Sequence, residues 1–206
     1  MLLDAGWTAY NDHQADRGPR PPRPHLLRLL ELAGPGGGRR ALDLGAGNGV
    51  ESLAMARAGW RVTAIDGDEG GCARLAEAAR ESAAGGELGD GGVEVLHADF
   101  TALPELPACE LAYSGYALPF AAGAFPAVWA RLESALAPGG WLGADLFGPR
   151  DTWARSSRVA IHAPDALPEL LDGFELVDVA ERDEDGWSLK GEKHWHVLSV
   201  IARRRA

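Results

Sequence analysis

The sequence predicts an α/β fold in which an open, mostly parallel sheet carries helices on both faces. Three observations predict it. From Arg40 to Phe147, short apolar runs alternate with segments of helical periodicity, the pattern of parallel strands joined by crossover helices. The first run leads into a loop with glycines at 45, 47 and 49, and the second is followed by Asp66. Two further apolar-rich runs near the end, separated by a polar connection, suit an antiparallel pair closing the sheet.

Composition bounds the rest. At 206 residues the chain suits one domain, residues 1–206, large enough to bury roughly 70% of the surface its unfolded form exposes. With 46% apolar and 24% charged residues it is neither disordered nor collagen-like. Thirty acidic against twenty basic side chains give a net charge of -10, which repels polyphosphate and argues against a nucleic-acid partner. Cys72 and Cys109 lack metal-ligand spacing and are expected as buried free thiols. Met1 to Asn11 carries Asp4 and no basic region before an apolar run, so no signal peptide is expected. The stretch from Leu111 to Ala130 is interrupted by Ser114, Gly115, Pro119, Gly123 and Pro126, which is unlike a membrane span. The expectation is a cytoplasmic protein, monomer or homodimer, with no membrane partner.

Residues 1–24 mix Trp7, Tyr10, several charges and four prolines. Pro24 opens a leucine-rich helix to Leu32, which Gly34-Pro35-Gly36-Gly37-Gly38 ends. Arg40 to Leu44 is the first strand. Val50, Leu53, Ala54 and Ala58 then recur at helical spacing, and Gly59 supplies a left-handed stop. Arg61 to Ile65 is the second strand, and Asp68 can cap a helix with a stripe of Cys72, Leu75, Ala76 and Ala79. After a glycine-rich loop, Gly85 to Gly92, come strands at Val93–Ala98 and Cys109–Tyr113. Phe125, Val128, Trp129, Leu132 and Leu136 mark a helix ended by Pro138-Gly139-Gly140, before a fifth strand from Trp141 to Phe147. A short helix from about Pro164 to Leu171 precedes the closing pair, Phe174–Arg182 and Trp195–Ala202.

In such a sheet the ligand binds outside the carboxyl ends of the strands. Gly45, Gly47 and Gly49 would leave no side chain between backbone and ligand, and the following helix start offers unpaired amides to a carboxylate. Asp66 lies nineteen positions past Gly47, close to the roughly 20-residue offset at which an acid meets a ribose hydroxyl pair. A dinucleotide fingerprint would put glycine or alanine where Val50 stands, and Asp43 would repel a pyrophosphate. These two positions disfavour a nicotinamide-dependent oxidoreductase and suit a cationic ligand.

The motif Asp43-x-Gly45-x-Gly47-x-Gly49 resembles that of the class I S-adenosylmethionine-dependent methyltransferases. Asp66 is similar to that family's ribose-binding acid, His97-Ala98-Asp99-Phe100 to its adenine-contacting segment, and Leu136-Ala137-Pro138-Gly139-Gly140 to the turn before its fifth strand. The resemblance implies a Rossmann-like three-layer sandwich, its seven-stranded, mostly parallel sheet having the last strand antiparallel. It also implies S-adenosylmethionine as cofactor, held by Asp43, Gly45, Ala46, Gly47, Asn48 and Gly49, with Asp66, Gly67, Asp99, Phe100 and Ser114 completing the pocket. Tyr113 to Phe120 would border the methyl group. A protein of this fold that binds the cofactor without transferring the methyl is the competing reading.

Because the sulfonium activates its own methyl group, the protein mainly aligns a nucleophile about 3 Å from that carbon. A protonated acceptor also needs a base. His194 is the candidate base and Tyr116 a second catalytic candidate. His194 and His196 share one face of a strand, and with no carboxylate or cysteine at matching spacing no metal is expected. The candidate contacts to a small, possibly anionic substrate are Tyr10, Arg20, Arg23, Phe120, Arg150, Trp153 and His196, supported by Trp7 and Arg155. Residues 1–25 are expected to fold over the pocket as a lid. Two segments, Ala144 to Trp153 and Lys193-His194-Trp195-His196, resemble a small bacterial subgroup of that family, to which no substrate is assigned.

Overall fold

The computed structural model describes residues 4–206 except Pro19 and Lys190; Met1 to Leu3 and Pro19 of the expected lid lie outside them. Seven strands form one sheet in the order β3-β2-β1-β4-β5-β7-β6. They are β1 (Arg40–Leu44), β2 (Arg61–Asp66), β3 (Gly92–His97), β4 (Cys109–Ser114), β5 (Leu136–Phe147), β6 (Phe174–Ser188) and β7 (Gly191–Arg204). The first five run parallel, and β7 is antiparallel to both neighbours. This is the Rossmann-like sheet expected from the alternation of elements.

The helices are α1 (Asp4–Asp16), α2 (Pro24–Ala33), α3 (Val50–Arg57), α4 (Glu69–Ala84), α5 (Phe125–Ala135) and α6 (Leu167–Leu170). Asp68 caps α4 by accepting from Gly71 N at 2.8 Å, and Cys72, Leu75 and Ala79 are buried along its inner stripe. Two apolar layers cover the sheet. Leu26, Leu29, Met55, Trp60, Leu75 and Tyr113 pack on one face, and Leu42, Phe125, Val128, Leu132, Leu142 and Leu198 on the other. Cys72 and Cys109 are free and buried, and burial pushes their thiols up to about 11 and about 12.

Three expectations need correction. The fifth strand starts at Leu136, not Trp141, so Leu136-Ala137-Pro138-Gly139-Gly140 extends β5 beside Cys109 instead of forming a turn before it. The closing strands are longer than Phe174–Arg182 and Trp195–Ala202, because the polar stretch between them continues the ladder through Asp183↔His196, Asp185↔His194 and Ser188↔Gly191. Main-chain pairing carries the ladder through polar side chains, most of those on β6 being exposed. The arm before Pro24 contains α1, which has no apolar stripe for periodicity to detect. Polar bonds to the sheet's loops hold it instead. Among the described residues, no helix is long and apolar enough to cross a membrane.

Candidate active site

Strand order reverses between β1 and β4, and the crevice over their carboxyl ends is where an open α/β sheet binds its ligand. The loop after β1 turns there with Gly45, Gly47 and Gly49 at φ of 80°, 54° and 79°, a region that costs other residues roughly 1 kcal/mol or more. Two of these glycines answer to packing as well. A Cβ at Gly45 would stand 2.1 Å from Ala117 Cβ, and one at Gly49 would stand 2.0 Å from Leu75 Cδ1. The loop is thus pressed against the loop after β4 and against α4, in addition to presenting backbone to the crevice.

Asp66 ends β2 with its carboxylate on this loop. Its Oδ2 accepts from Gly47 N at 2.7 Å and its Oδ1 from Asp68 N at 2.8 Å, and burial raises its pKa. Asp43 lies beneath, buried, with Oδ2 accepting from Ser52 Oγ at 2.6 Å. Burial pushes Asp43 up to about 7 against the lowering effect of that bond. Helix α1 crosses the same loops: Thr8 Oγ1 and Asn11 Nδ2 donate to the two oxygens of Asp68, and Asn48 Nδ2 donates to Asn11 O at 2.7 Å. Arg74 joins them, pairing with Asp12 at 3.0 Å and donating to Asn48 Oδ1 at 2.9 Å.

After β3, Asp99 accepts from Thr101 N and Oγ1, and His97 Nε2 meets Gly67 O at 3.1 Å. Phe100 Cζ comes within 3.8 Å of a Cβ built on Gly45, so the loops after β1, β3 and β4 converge. Ala46 is buried in the layer beneath. Ser114 is turned inward, donating to Leu44 O at 2.8 Å and accepting from Leu118 N at 3.2 Å. Its hydroxyl ties β4 to β1 rather than pointing at the crevice.

The other half of the carboxyl edge is aromatic. Tyr116 sits at a positive φ of 60°, with its ring 5.7 Å from Trp195 and 6.2 Å from Phe147. Phe120 contacts Trp7, Phe147 and Trp153 at centroid distances of 4.6, 5.6 and 5.7 Å, and Tyr10 packs on Trp7 at 5.9 Å. Burial raises the Tyr116 phenol, so that side chain keeps its proton at neutral pH and can donate it only in a hydrogen bond.

Sequence reasoning missed Lys193. Its ammonium lies 3.4 Å over Trp153, 3.8 Å over Trp195 and 2.6 Å from Asp151, almost fully buried. Burial lowers its pKa while Asp151 opposes the shift. The two unassigned segments therefore meet here: Asp151 and Trp153 from one lock Lys193 and Trp195 from the other. Only the lysine's place beside Trp195 in a run rich in aromatic and basic residues could have hinted at this.

His194, the candidate base, faces two acids of β6. Its Nε2 and Nδ1 meet Asp183 and Asp185 at 2.7 and 2.8 Å, and these carboxylates, Asp183 first, raise its pKa. With both nitrogens engaged, the ring is held protonated. His196 shares its face, as expected, but is fully buried, accepting from Arg150 N and facing Glu181 at 2.9 Å.

The arginines expected to hold an anion already have partners. Arg20 makes a bidentate pair with Glu51, 2.6 Å on each arm, and Arg150 pairs with Glu181 and Asp183. Arg23 lies 3.8 Å from Glu51 and 4.6 Å over the Tyr116 ring. Arg155 ends a short turn and is exposed.

A glycine loop at the switch point, with an acid on the next strand and an aromatic wall across the crevice, defines an α/β domain that binds a nucleoside cofactor. Residues 41–140 match the model of a family described as a methyltransferase domain. Over this stretch the chain is similar to methyltransferase domains, which agrees with the resemblance of its glycine loop to the class I family. No curated protein sequence matches the chain at a significant level.

Solved structures share the fold. TehB from Haemophilus influenzae is 18% identical with a TM-score of 0.73, covering 89% of this chain, which spans 63% of TehB. The N-methyltransferase NodS from Bradyrhizobium japonicum WM9 is 18% identical with a TM-score of 0.66, covering 88% of this chain and 93% of its own. Magnesium protoporphyrin IX methyltransferase from Synechocystis PCC 6803, with bound SAH, is 16% identical with a TM-score of 0.67, covering 98% of this chain and 96% of its own. At such identities the likeness concerns the fold.

Proposed function

We propose that the chain transfers the methyl group of S-adenosylmethionine to an oxygen, nitrogen or sulfur atom of a small molecule. The observation that carries this reading is the bond from Gly47 N to Asp66 Oδ2, 2.7 Å, which brings a carboxylate to the mouth of a left-handed glycine loop at the switch point. The residues fit the cofactor. Asp66 can exchange its bond to Gly47 for a ribose hydroxyl pair, and the backbone of Gly45 to Gly49 lies open to the methionine part. Buried Asp43 supplies negative charge beneath a cation. Asp99, Phe100 and Gly67 border the adenine, while Ser114 positions the loop after β4 from behind. The bound cofactor supplies an activated methyl group, so the chain's own task is to orient the acceptor and exclude water.

The acceptor lies over β4 and β5, between Tyr116, Phe120 and Trp153, with the arm formed by residues 4–25 as its lid. Pairing of Arg20 and Arg150 with carboxylates leaves Arg23 as the arginine best placed for an anionic group. An acidic chain with a closed, aromatic acceptor space favours a small molecule over a polymer. The test is calorimetry with S-adenosylhomocysteine, followed by a panel of phenols, amines, thiols and carboxylates with S-adenosylmethionine, reading release of S-adenosylhomocysteine. Binding with turnover of at least one class is expected. Binding without any turnover would favour a cofactor-binding protein that has lost methyl transfer.

A further inference from the structure

Three buried polar atoms have no hydrogen-bond partner and lie together: Asp145 Oδ2, Tyr113 Oη and His25 Nδ1. Tyr113 pairs with Gly143 on the neighbouring parallel strand, so alternation puts Tyr113 and Asp145 on one face of the sheet. That face is covered by α2, where His25 Nδ1 stands 3.3 Å from Asp145 Oδ1 and its ring 5.7 Å from Tyr113. Asp145 is 1% exposed, and its Oδ1 also accepts from Ser199 Oγ. His25 Nε2 is 3.0 Å from Val200 O; a carbonyl only accepts, so that nitrogen carries hydrogen. The group lies at the carboxyl edge: a Cβ at Gly115, just after β4, would be 2.9 Å from Tyr113 Oη and 3.3 Å from Arg23 Cδ. Buried polar atoms left unpaired are destabilising, and such atoms often mark a ligand's place.

We propose that Asp145 is the base of the methyl transfer, with His25 and Tyr113 as its positioning residues, and that the acceptor is a hydroxyl or an ammonium group. This rests on the methyl-transfer reading above. An acceptor hydroxyl brought to these atoms would donate its hydrogen to Asp145 Oδ2 and accept from the Tyr113 O–H, pairing two atoms that are otherwise unpaired. A hydroxyl attacks with its own lone pair, whereas an ammonium must first give a proton to Asp145 Oδ2 to gain one; as that pair forms the bond to the methyl carbon, the carbon–sulfur bond breaks and its electron pair goes to sulfur. Asp145 Oδ2 takes the acceptor's proton. A carboxylate and a sulfonium thereby become a neutral acid and a neutral thioether, and this loss of charge separation is favoured where water is excluded. His25 Nδ1, 3.3 Å from the other oxygen, packs beside the carboxylate. The Arg23 side chain, between Glu51 and the Tyr116 ring, lies over Gly115 and would have to shift to admit the acceptor. Carboxylates and other acceptors that are deprotonated at neutral pH need no such base.

The test compares wild type with Asp145→Asn, using phenol, catechol, tyramine and benzoate as acceptors. Release of S-adenosylhomocysteine, its affinity by calorimetry, and Tm are the readouts. Wild type is expected to turn over a hydroxyl or amine probe and not benzoate. D145N is expected to lose about 100-fold or more in turnover, to bind S-adenosylhomocysteine unchanged, and to keep Tm nearly unchanged, because the amide oxygen can still accept from Ser199 Oγ. If D145N does not fold, His25→Gln serves instead, with about a tenfold loss in kcat expected at unchanged affinity. Turnover that survives in D145N, a loss of turnover matched by a lower Tm, or turnover of benzoate alone would overturn the proposal. Wild type that binds S-adenosylhomocysteine but methylates none of the probes defeats the methyl-transfer reading first, and this inference with it.

Discussion

The two halves of the sheet's carboxyl edge are built in different ways. Over β1 to β3 the crevice is made of backbone and short acids, with Gly47 bonded to Asp66 and Asp68 capping the next helix. Over β5 and β7 it is made of large rings around a buried ammonium, Lys193, whose partner Asp151 lies 42 residues away in sequence. The first half is shaped by main-chain conformation, the second by long side chains from distant segments. Substitutions should therefore separate them: changes around Lys193 act on stability and the acceptor, changes around Asp66 on the cofactor.

Lys193→Met gives the largest expected effect. It leaves Asp151 buried without its cation, a loss of about 3–5 kcal/mol, to be measured by urea unfolding. S-adenosylhomocysteine should bind the folded variant unchanged, and K193M combined with Asp151→Leu should recover most of the stability. A parallel loss of cofactor affinity would show that the halves are coupled.

Gly49→Ala should cost about 2–4 kcal/mol in the same measurement, from collision with Leu75 and a φ of 79° that alanine resists. Here the cofactor loop answers to stability too, which sharpens the contrast with Asp66. Asp66→Asn should weaken S-adenosylhomocysteine binding roughly 10- to 100-fold by calorimetry, the worth of hydrogen bonds to a charged acceptor, with unfolding little changed.

The smallest effect concerns protons. Asp43 is raised to about 7 in the folded chain, against about 3.9 unfolded. Its folded form holds the proton more tightly, so its contribution to stability is full below about pH 4 and is lost as pH rises to about 7. A cationic ligand favours the ionised carboxylate. S-adenosylmethionine binding near pH 6.5 should release a fraction of a proton, measured by calorimetry in buffers of different ionisation enthalpy, and Asp43→Asn should abolish the release.

The same division explains what was legible in the sequence. Strands β1 to β5, the cap at Asp68 and the pairing of the glycine loop with Asp66 rest on local periodicity and short offsets, which one chain displays directly. Helix α1 was hidden because polar bonds to Asp68 and Asn48 replace an apolar stripe. The Lys193 cage was hidden because no local pattern distinguishes a lysine bound for three rings from one bound for water. His194 and His196 did share a strand face, yet that face meets Glu181, Asp183 and Asp185, which only the register of β6 against β7 could reveal.

Helix α1 is fastened to Asn48 and to Asp68, on the two loops that flank Asp66. A clasp closed across both walls affects exchange more than equilibrium, since it slows arrival and departure alike. Loosening it with Asn11→Ala should quicken both steps in stopped-flow measurements while their ratio stays nearly constant. The pace at which spent cofactor leaves would then be set by thirteen residues that take no part in the chemistry.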